Sequence, residues 1–307
     1  MMGFQHRVMI GLGVLGIIAP FVVYPIFLMK ALCFALFAAA FNLLIGYVGL
    51  LSFGHAMFLG MAGYGAGHAA KVWGLPPELA ILFGTAIAAA LGFVVGVIAI
   101  RRQGIYFAMT TLALAQMVYF FCLQVPFTGG EDGIQAIPRG RLFGLLDLAD
   151  TMTLYYVVLA IVAAGFVLIY RTIHSPFGQV LKAIRENEPR AISLGYRVDH
   201  YKLLAFVLSA ALAGLAGATK ALVFQLASLT DVTWQMSGEV VLMTLLGGLG
   251  TVFGPIVGAF IVIALETYLA QMGSWVLVIQ GAIFVVCVLT FRRGVVGELA
   301  RLIKRPL

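Results

Sequence analysis

The chain has 307 residues, of which 63% are hydrophobic and 10% charged, and its mean hydropathy is +1.08. Soluble domains carry about 25% charged residues, so a soluble enzyme or binding domain is excluded and an integral membrane protein is implied. The net charge of +7 does not point to nucleic acid, because the basic residues lie between apolar runs rather than along one face, a distribution that serves membrane topology.

Taken in order, apolar runs cover residues 8–28, 31–50, 52–71, 78–100, 104–124, 152–170, 203–223 and 274–291, each near the length that crosses a bilayer as a helix. The first, which follows His6 and Arg7, is longer than the core of a signal peptide, about 7 to 15 residues, and is predicted to be a retained span. Between 238 and 269 the pattern breaks at Gly247, Gly248, Gly250, Gly254 and Pro255. Backbone of that kind must be buried in protein or line a cavity. It predicts a hairpin of two short helices dipping in from the outer side. The stretch Gly46 to His68 has the same glycine-rich character, and one such segment in each half suggests a duplicated architecture around a central path. The predicted fold class is an all-α polytopic membrane protein, about eight full spans plus the broken hairpin, or eight to ten transmembrane segments, in one domain over 1–307.

The positive-inside rule places Arg7, Arg101, Arg102, the basic residues between Arg171 and Lys202, and Arg292, Arg293, Arg301, Lys304 and Arg305 in the cytoplasm, with both termini. The loop 125–151, with Glu131, Asp132, Asp147 and Asp150 against Arg139 and Arg141, then falls outside, as does Asp231. An odd number of crossings must separate Asp231 from Arg292, which two short segments plus 274–291 supply and a single long helix in place of the pair does not. A cysteine placed at Gly273 is expected to label from outside. Cys33, Cys122 and Cys287 are too scattered for a metal site and read as small packing residues.

The region 171–202 is the one long charged island. Ser175 before Pro176 predicts an N-cap with proline at the first helical position, and Phe177, Val180, Leu181 and Ile184 share one helical face. Pro189 begins a second short helix, with Asn187 or Glu188 as cap and Gly195 as the stop. Such a surface hairpin is a loop tether, an anionic-lipid contact or a docking surface for a soluble partner.

The runs GYVGLLSFGHAMFLGMAGYGAG, IYFAMTTLALAQ, FTGGEDGI, SPFGQVLKAIRENEPRAISLGY, KLLAFVLSAALAGLAGATKA and LLGGLGTVFGPIVGA, in order from about Leu43 to Phe260, resemble the permease subunits of bacterial ABC importers for branched-chain amino acids, of the LivM type. The resemblance implies a duplicated importer-permease fold in the inner membrane, a LivH-type second permease as heterodimer partner, two cytoplasmic ATPase subunits that use ATP and Mg, and a periplasmic substrate-binding protein. It implies no enzymatic activity in this chain, and the missing G-x-x-x-x-G-K-[ST] loop agrees that ATP phosphates are held elsewhere. The island matches the cytoplasmic helix that fits the ATPase in such importers, which gives Lys182, Arg185, Glu186, Glu188 and Arg190 an expected coupling role.

Polar residues within the apolar runs supply candidates for the translocation path: Asn42, Ser52, His55, Thr110, Gln116, Glu239 and Thr244, each weighed against service as glue between helices. Glu239 is expected to begin the short hairpin near the outer face and cap its helix. Thr128, Glu131 and Asp132, in a turn-rich outer loop, are candidates for contact with the binding protein. No catalytic or metal-binding constellation is found. Similar permeases carry urea, short amides or other amino acids. An ion-coupled secondary transporter is the alternative of a different class, and would want an ionisable residue at mid-membrane.

Overall fold

The computed structural model describes residues 2–270, 275–290 and 294–303. Gly273, Arg292, Arg293, Lys304 and Arg305, and the side chain of Cys287, lie outside the described residues, and with them the labelling expectation and part of the charge pattern.

Thirteen α-helices are described: α1 Met2–Ile18, α2 Pro25–Tyr47, α3 His55–Lys71, α4 Pro77–Ala99, α5 Ile105–Gln124, α6 Thr151–His174, α7 Pro176–Glu186, α8 Glu188–Ser193, α9 Val198–Phe224, α10 Trp234–Gly247, α11 Gly254–Leu269, α12 Trp275–Thr290 and α13 Gly294–Ile303. Five of them, α2, α4, α5, α6 and α9, are long and apolar enough to cross a membrane, fewer than the expected eight. At about 1.5 Å per residue, the 17 residues of α3 fall short of the roughly 30 Å hydrocarbon core. The predicted continuous span over 52–71 is therefore a non-helical entry, residues 48–54, followed by a short helix.

Two opposite ends can be defined from the contacts. At one end, the C-terminal turns of α2 and α6 and the first turn of α9 meet α7 and α8: Arg185 Nη1 donates to the Gly46 carbonyl, and Lys202 Nζ pairs with Glu188 at 2.7 Å. At the other end lies the 125–150 connection, where Lys71 Nζ donates to the Gln135 carbonyl at 2.7 Å and Arg139 Nη2 to the Val223 carbonyl at 2.8 Å. That connection is not wholly irregular. Strand β1 (Ile134–Gln135) pairs antiparallel with β4 (Leu226–Ala227), and β2 (Arg141–Leu142) with β3 (Leu146–Asp147), two short ladders that the all-α expectation missed. Two residues per strand leave no alternation to read in the sequence.

The helices α2–α5 and α9–α12 alternate between the two ends in opposite order. In the first, a long helix reaches the α7 end, the chain turns back through 48–54, and α3 starts part-way and returns to the 125–150 end. In the second, α9 runs the other way, the chain turns back through 225–233, and α10 starts part-way and runs to the α7 end. The matching starts are joined directly: the Ala56 N–H of α3 donates to Ser237 Oγ of α10 at 3.0 Å, with Ser237 fully buried. A further irregular segment, Gln225 (φ 54°) and the 3-10 turn Leu229–Val232, precedes α10. The two short helices expected over 238–269 are α10 and α11, separated at 248–253 as the glycines indicate, and their turn reaches the α7 end. Gly294 packs on Gly248 there, so three segments separate Asp231 from that end, an odd number.

Small residues make the centre of this arrangement possible. α3, α4 and α9 pack tightly together. A Cβ on Gly217 of α9 would collide with the Leu59 carbonyl of α3, and one on Gly84 of α4 with the Ala62 carbonyl. Close backbone approach of this kind is how helices associate where lipid removes the hydrophobic drive between them. The longer side chains beside them are fully buried, Phe37, Phe41, Phe58 and Phe206 among them.

Candidate functional site

The charged island folds as two helices with the predicted caps. Ser175 Oγ accepts from the Gly178 N–H at 3.3 Å, and Asn187 Oδ1, not Glu188, accepts from the Arg190 N–H at 3.1 Å. Gly195, at φ +89°, follows α8 and turns the chain toward α9. Leu181 and Ile184 are buried and Phe177 and Val180 partly so, and this face anchors the hairpin to the membrane helices.

The five candidate coupling charges divide into two groups. Lys182, Arg185 and Glu188 are used within the chain. The Lys182 ammonium lies 5.6 Å from the centre of the Tyr47 ring, a cation–π contact. Arg185 reaches the α2 terminus, where the last carbonyls have no helical partner, and bonds that of Gly46. Glu188 Oε1 accepts from both Lys202 Nζ at 2.7 Å and Gln103 Nε2 at 3.1 Å, joining α8 to α9 and to the α4–α5 connection. Glu186 and Arg190, by contrast, are exposed, and their side chains make no hydrogen bond or ion pair among the described residues. Beside them Ile192 and Leu194 are 57% and 69% exposed, an apolar complement that charge-based reasoning overlooked.

Beneath Arg185 lies a second joint. Asn42 Nδ2 donates to the Thr251 carbonyl at 2.9 Å, and its Oδ1 accepts from the Gly250 N–H at 3.0 Å. One buried side-chain amide thus satisfies a donor and an acceptor of the α10–α11 turn, as a peptide group would in a sheet. Gly250 sits at φ +73°, where a side chain is strained, and a Cβ there would stand 3.3 Å from Arg185 Nη1. The surface helix α7, the end of α2 and the turn of the α10–α11 pair therefore meet at one place.

The other path candidates are mostly internal ties. His55, fully buried at the start of α3, meets Ser209 Oγ of α9 at 2.8 Å. The single Ser209 proton goes to the Ala40 carbonyl of α2 at 2.5 Å, so the imidazole must be the donor, as the Nε2–H tautomer. Its Nδ1 makes no hydrogen bond, and the rings of Phe37, Phe41, Phe58 and Phe206 stand 5.2–6.4 Å from the imidazole. Ser52 Oγ accepts from the Gly54 N–H at 3.3 Å. Thr111, buried on α5, accepts from the Phe53 N–H at 3.2 Å and so also satisfies backbone freed by the first break. Thr110 and Thr244 donate to carbonyls one turn back, Tyr106 and Val240, both at 2.7 Å. Gln116 is half-buried on α5 and makes no hydrogen bond among the described residues.

Glu239 does not cap α10. The helix begins at Trp234 and holds no acid in its first turn, so the carboxylate stands a turn further in. Thr128 is fully buried, and its hydroxyl donates to the Val125 carbonyl at 2.7 Å and to that of Cys122, finishing α5. It is not available to a partner, whereas Glu131 and Asp132 are exposed. Ser209 and Ser237 escaped sequence reasoning, although a lone polar residue inside an apolar helix was the available sign. Among the described residues, no group of three His, Cys, Asp or Glu side chains is placed to hold a metal.

Five helices long and apolar enough to cross a membrane, with shorter helices packed among them, define a polytopic membrane protein. Residues 24–288 match the family described as "Branched-chain amino acid transport system / permease component", and the chain belongs to it. It is 29% identical over 276 residues to the high-affinity branched-chain amino acid transport system permease protein LivM of Escherichia coli K12, and 28% to that of Salmonella typhimurium. Each alignment covers 82% of this chain and 65% of the relative, so the chain spans about two-thirds of their length. The ribose import permease protein RbsC of Bacillus subtilis is 29% identical over 244 residues, 72% of this chain and 70% of that one. No solved structure matches the chain.

Proposed function

We propose that the chain is one of two permease subunits in an ATP-driven importer that carries branched-chain and other hydrophobic amino acids across the bacterial inner membrane. Its partners in this reading are a LivH-type permease, two ATPases on the cytoplasmic α7 end that hydrolyse ATP with Mg as cofactor, and a binding protein on the periplasmic 125–150 end. The observation that carries it is the division of charge on the island. Lys182, Arg185 and Glu188 fix the hairpin to α2, α9 and the α4–α5 connection, which leaves Glu186, Arg190, Ile192 and Leu194 facing water as a rigid, mixed docking surface. Movement imposed there would reach the α10–α11 turn through Arg185 and Asn42. Similarity to a ribose permease favours a second reading, in which the same machine carries a different small solute.

Co-expression with the neighbouring permease and ATPase genes tests the assembly, which should purify as one complex. Glu186→Arg and Arg190→Glu should each lower uptake into vesicles by about tenfold or more while ATP hydrolysis persists, the loss expected when a charged contact worth about 1.5–3 kcal/mol is reversed. Unchanged uptake in both variants would remove the docking assignment.

A further inference from the structure

Membrane-embedded charges are costly and mark functional sites by default. Five ionisable side chains from five segments gather around the first turns of α2. Lys30 of α2 pairs with Glu266 of α11 at 3.1 Å, although 236 residues separate them in the chain. One turn on, the Phe34 ring lies 5.5 Å from the Lys220 ammonium of α9, which in turn pairs with Asp231 of the 3-10 turn. Glu239 of α10 stands within electrostatic reach of all four of these charges.

The charge count does not close. Two cations face three carboxylates, and the two ion pairs use Glu266 and Asp231, leaving Glu239 as the odd acid. It makes no hydrogen bond among the described residues and is only half-buried. The Lys30–Glu266 pair is itself open on one side, its side chains 27% and 41% exposed, whereas those of Lys220 and Asp231 are 15% and 11% exposed. A buried structural network is expected to be fully satisfied, and the α7 end shows that this chain builds such networks. This group instead leaves one unpaired carboxyl group beside two cations, one of which sits in a partly exposed pair.

We propose that Glu239 is the subsite for the ammonium group of a zwitterionic solute passing through the permease, with Lys30 beside it to receive the carboxylate. This rests on the amino-acid reading above and specifies it. The solute's ammonium would give the odd acid the partner that it lacks. Carboxylate and ammonium recognition by opposite charges on α10 and α2 would also fix the orientation in which the solute enters, and would discriminate against a neutral amide or a sugar.

The test uses the full assembly in proteoliposomes, with isopentylamine, an ammonium that lacks the carboxylate, as the probe. Leucine uptake by the wild type should be inhibited by the amine. Glu239→Gln should lose about tenfold or more in uptake at subsaturating leucine, and what remains should be insensitive to the amine. Glu239→Asp, which keeps the charge, should retain amine sensitivity, a rescue that a purely structural role does not predict. Equal leucine uptake and equal amine sensitivity in wild type and Glu239→Gln, or no inhibition of the wild type, overturns the subsite while leaving the importer reading intact. A wild-type assembly that carries no leucine overturns both.

Discussion

The two charged regions of this molecule are built on opposite principles. At the α7 end, Glu188 takes Lys202 and Gln103, Arg185 takes a helix-terminal carbonyl, and the charges left over face water. Around the first turns of α2, the Lys30–Glu266 pair is partly open and Glu239 is left over inside the helical layer. A closed network holds elements in place; an unbalanced one keeps capacity for a visiting charge. The difference suggests where force is received and where solute is met.

The comparison can be broken most sharply at Lys202. Its side chain is 4% exposed, and Lys202→Met would leave Glu188 without its cation, which for a buried pair costs about 3 kcal/mol or more. A large fall in the thermal midpoint in detergent is expected, with partial recovery when Glu188→Gln is added. A midpoint that does not move would show the network to be dispensable. Next in size is Asn42→Leu, which leaves the Gly250 N–H and Thr251 carbonyl unpaired, at about 1–3 kcal/mol each. Here the midpoint should fall and the leucine carried per ATP hydrolysed should fall with it. Loss of stability without loss of coupling would make Asn42 a staple and nothing more.

The smallest effect is expected at Asp150, on the 125–150 end. Its carboxylate accepts from the Thr153 N–H at 2.9 Å, and this bond to the first turn of α6 holds its pKa below the usual value. A lowered folded-state pKa means that the contribution is present above the unfolded carboxylate value and is lost as pH falls through the folded one. Asp150→Asn should therefore be slightly less stable than wild type at neutral pH, with the gap closing in acid. Melting curves across pH read this directly.

What the sequence disclosed follows the same division. The α7–α8 hairpin was legible because its caps, proline and apolar face are local and lie in one continuous run. The charge group around α2 was not, because Lys30, Lys220, Asp231, Glu239 and Glu266 come together only when α2, α9, α10 and α11 pack. The glycines at 247–254 correctly announced irregular backbone, but glycine alone does not distinguish a turn at one end from a break within the layer. The irregular segment before α10, 225–233, carries no glycine. Its sign is Gln225 in a left-handed conformation, which residue type does not betray. Asn42 and His55 read as isolated polar residues because their partners are backbone groups or side chains on distant helices.

ATP-driven accumulation in proteoliposomes containing this chain, the second permease, both ATPases and the binding protein tests the central claim most directly. Leucine should accumulate against its gradient only when ATP is supplied, and ribose should not. Accumulation of ribose instead of leucine, or leucine entry that ignores ATP, would contradict the account.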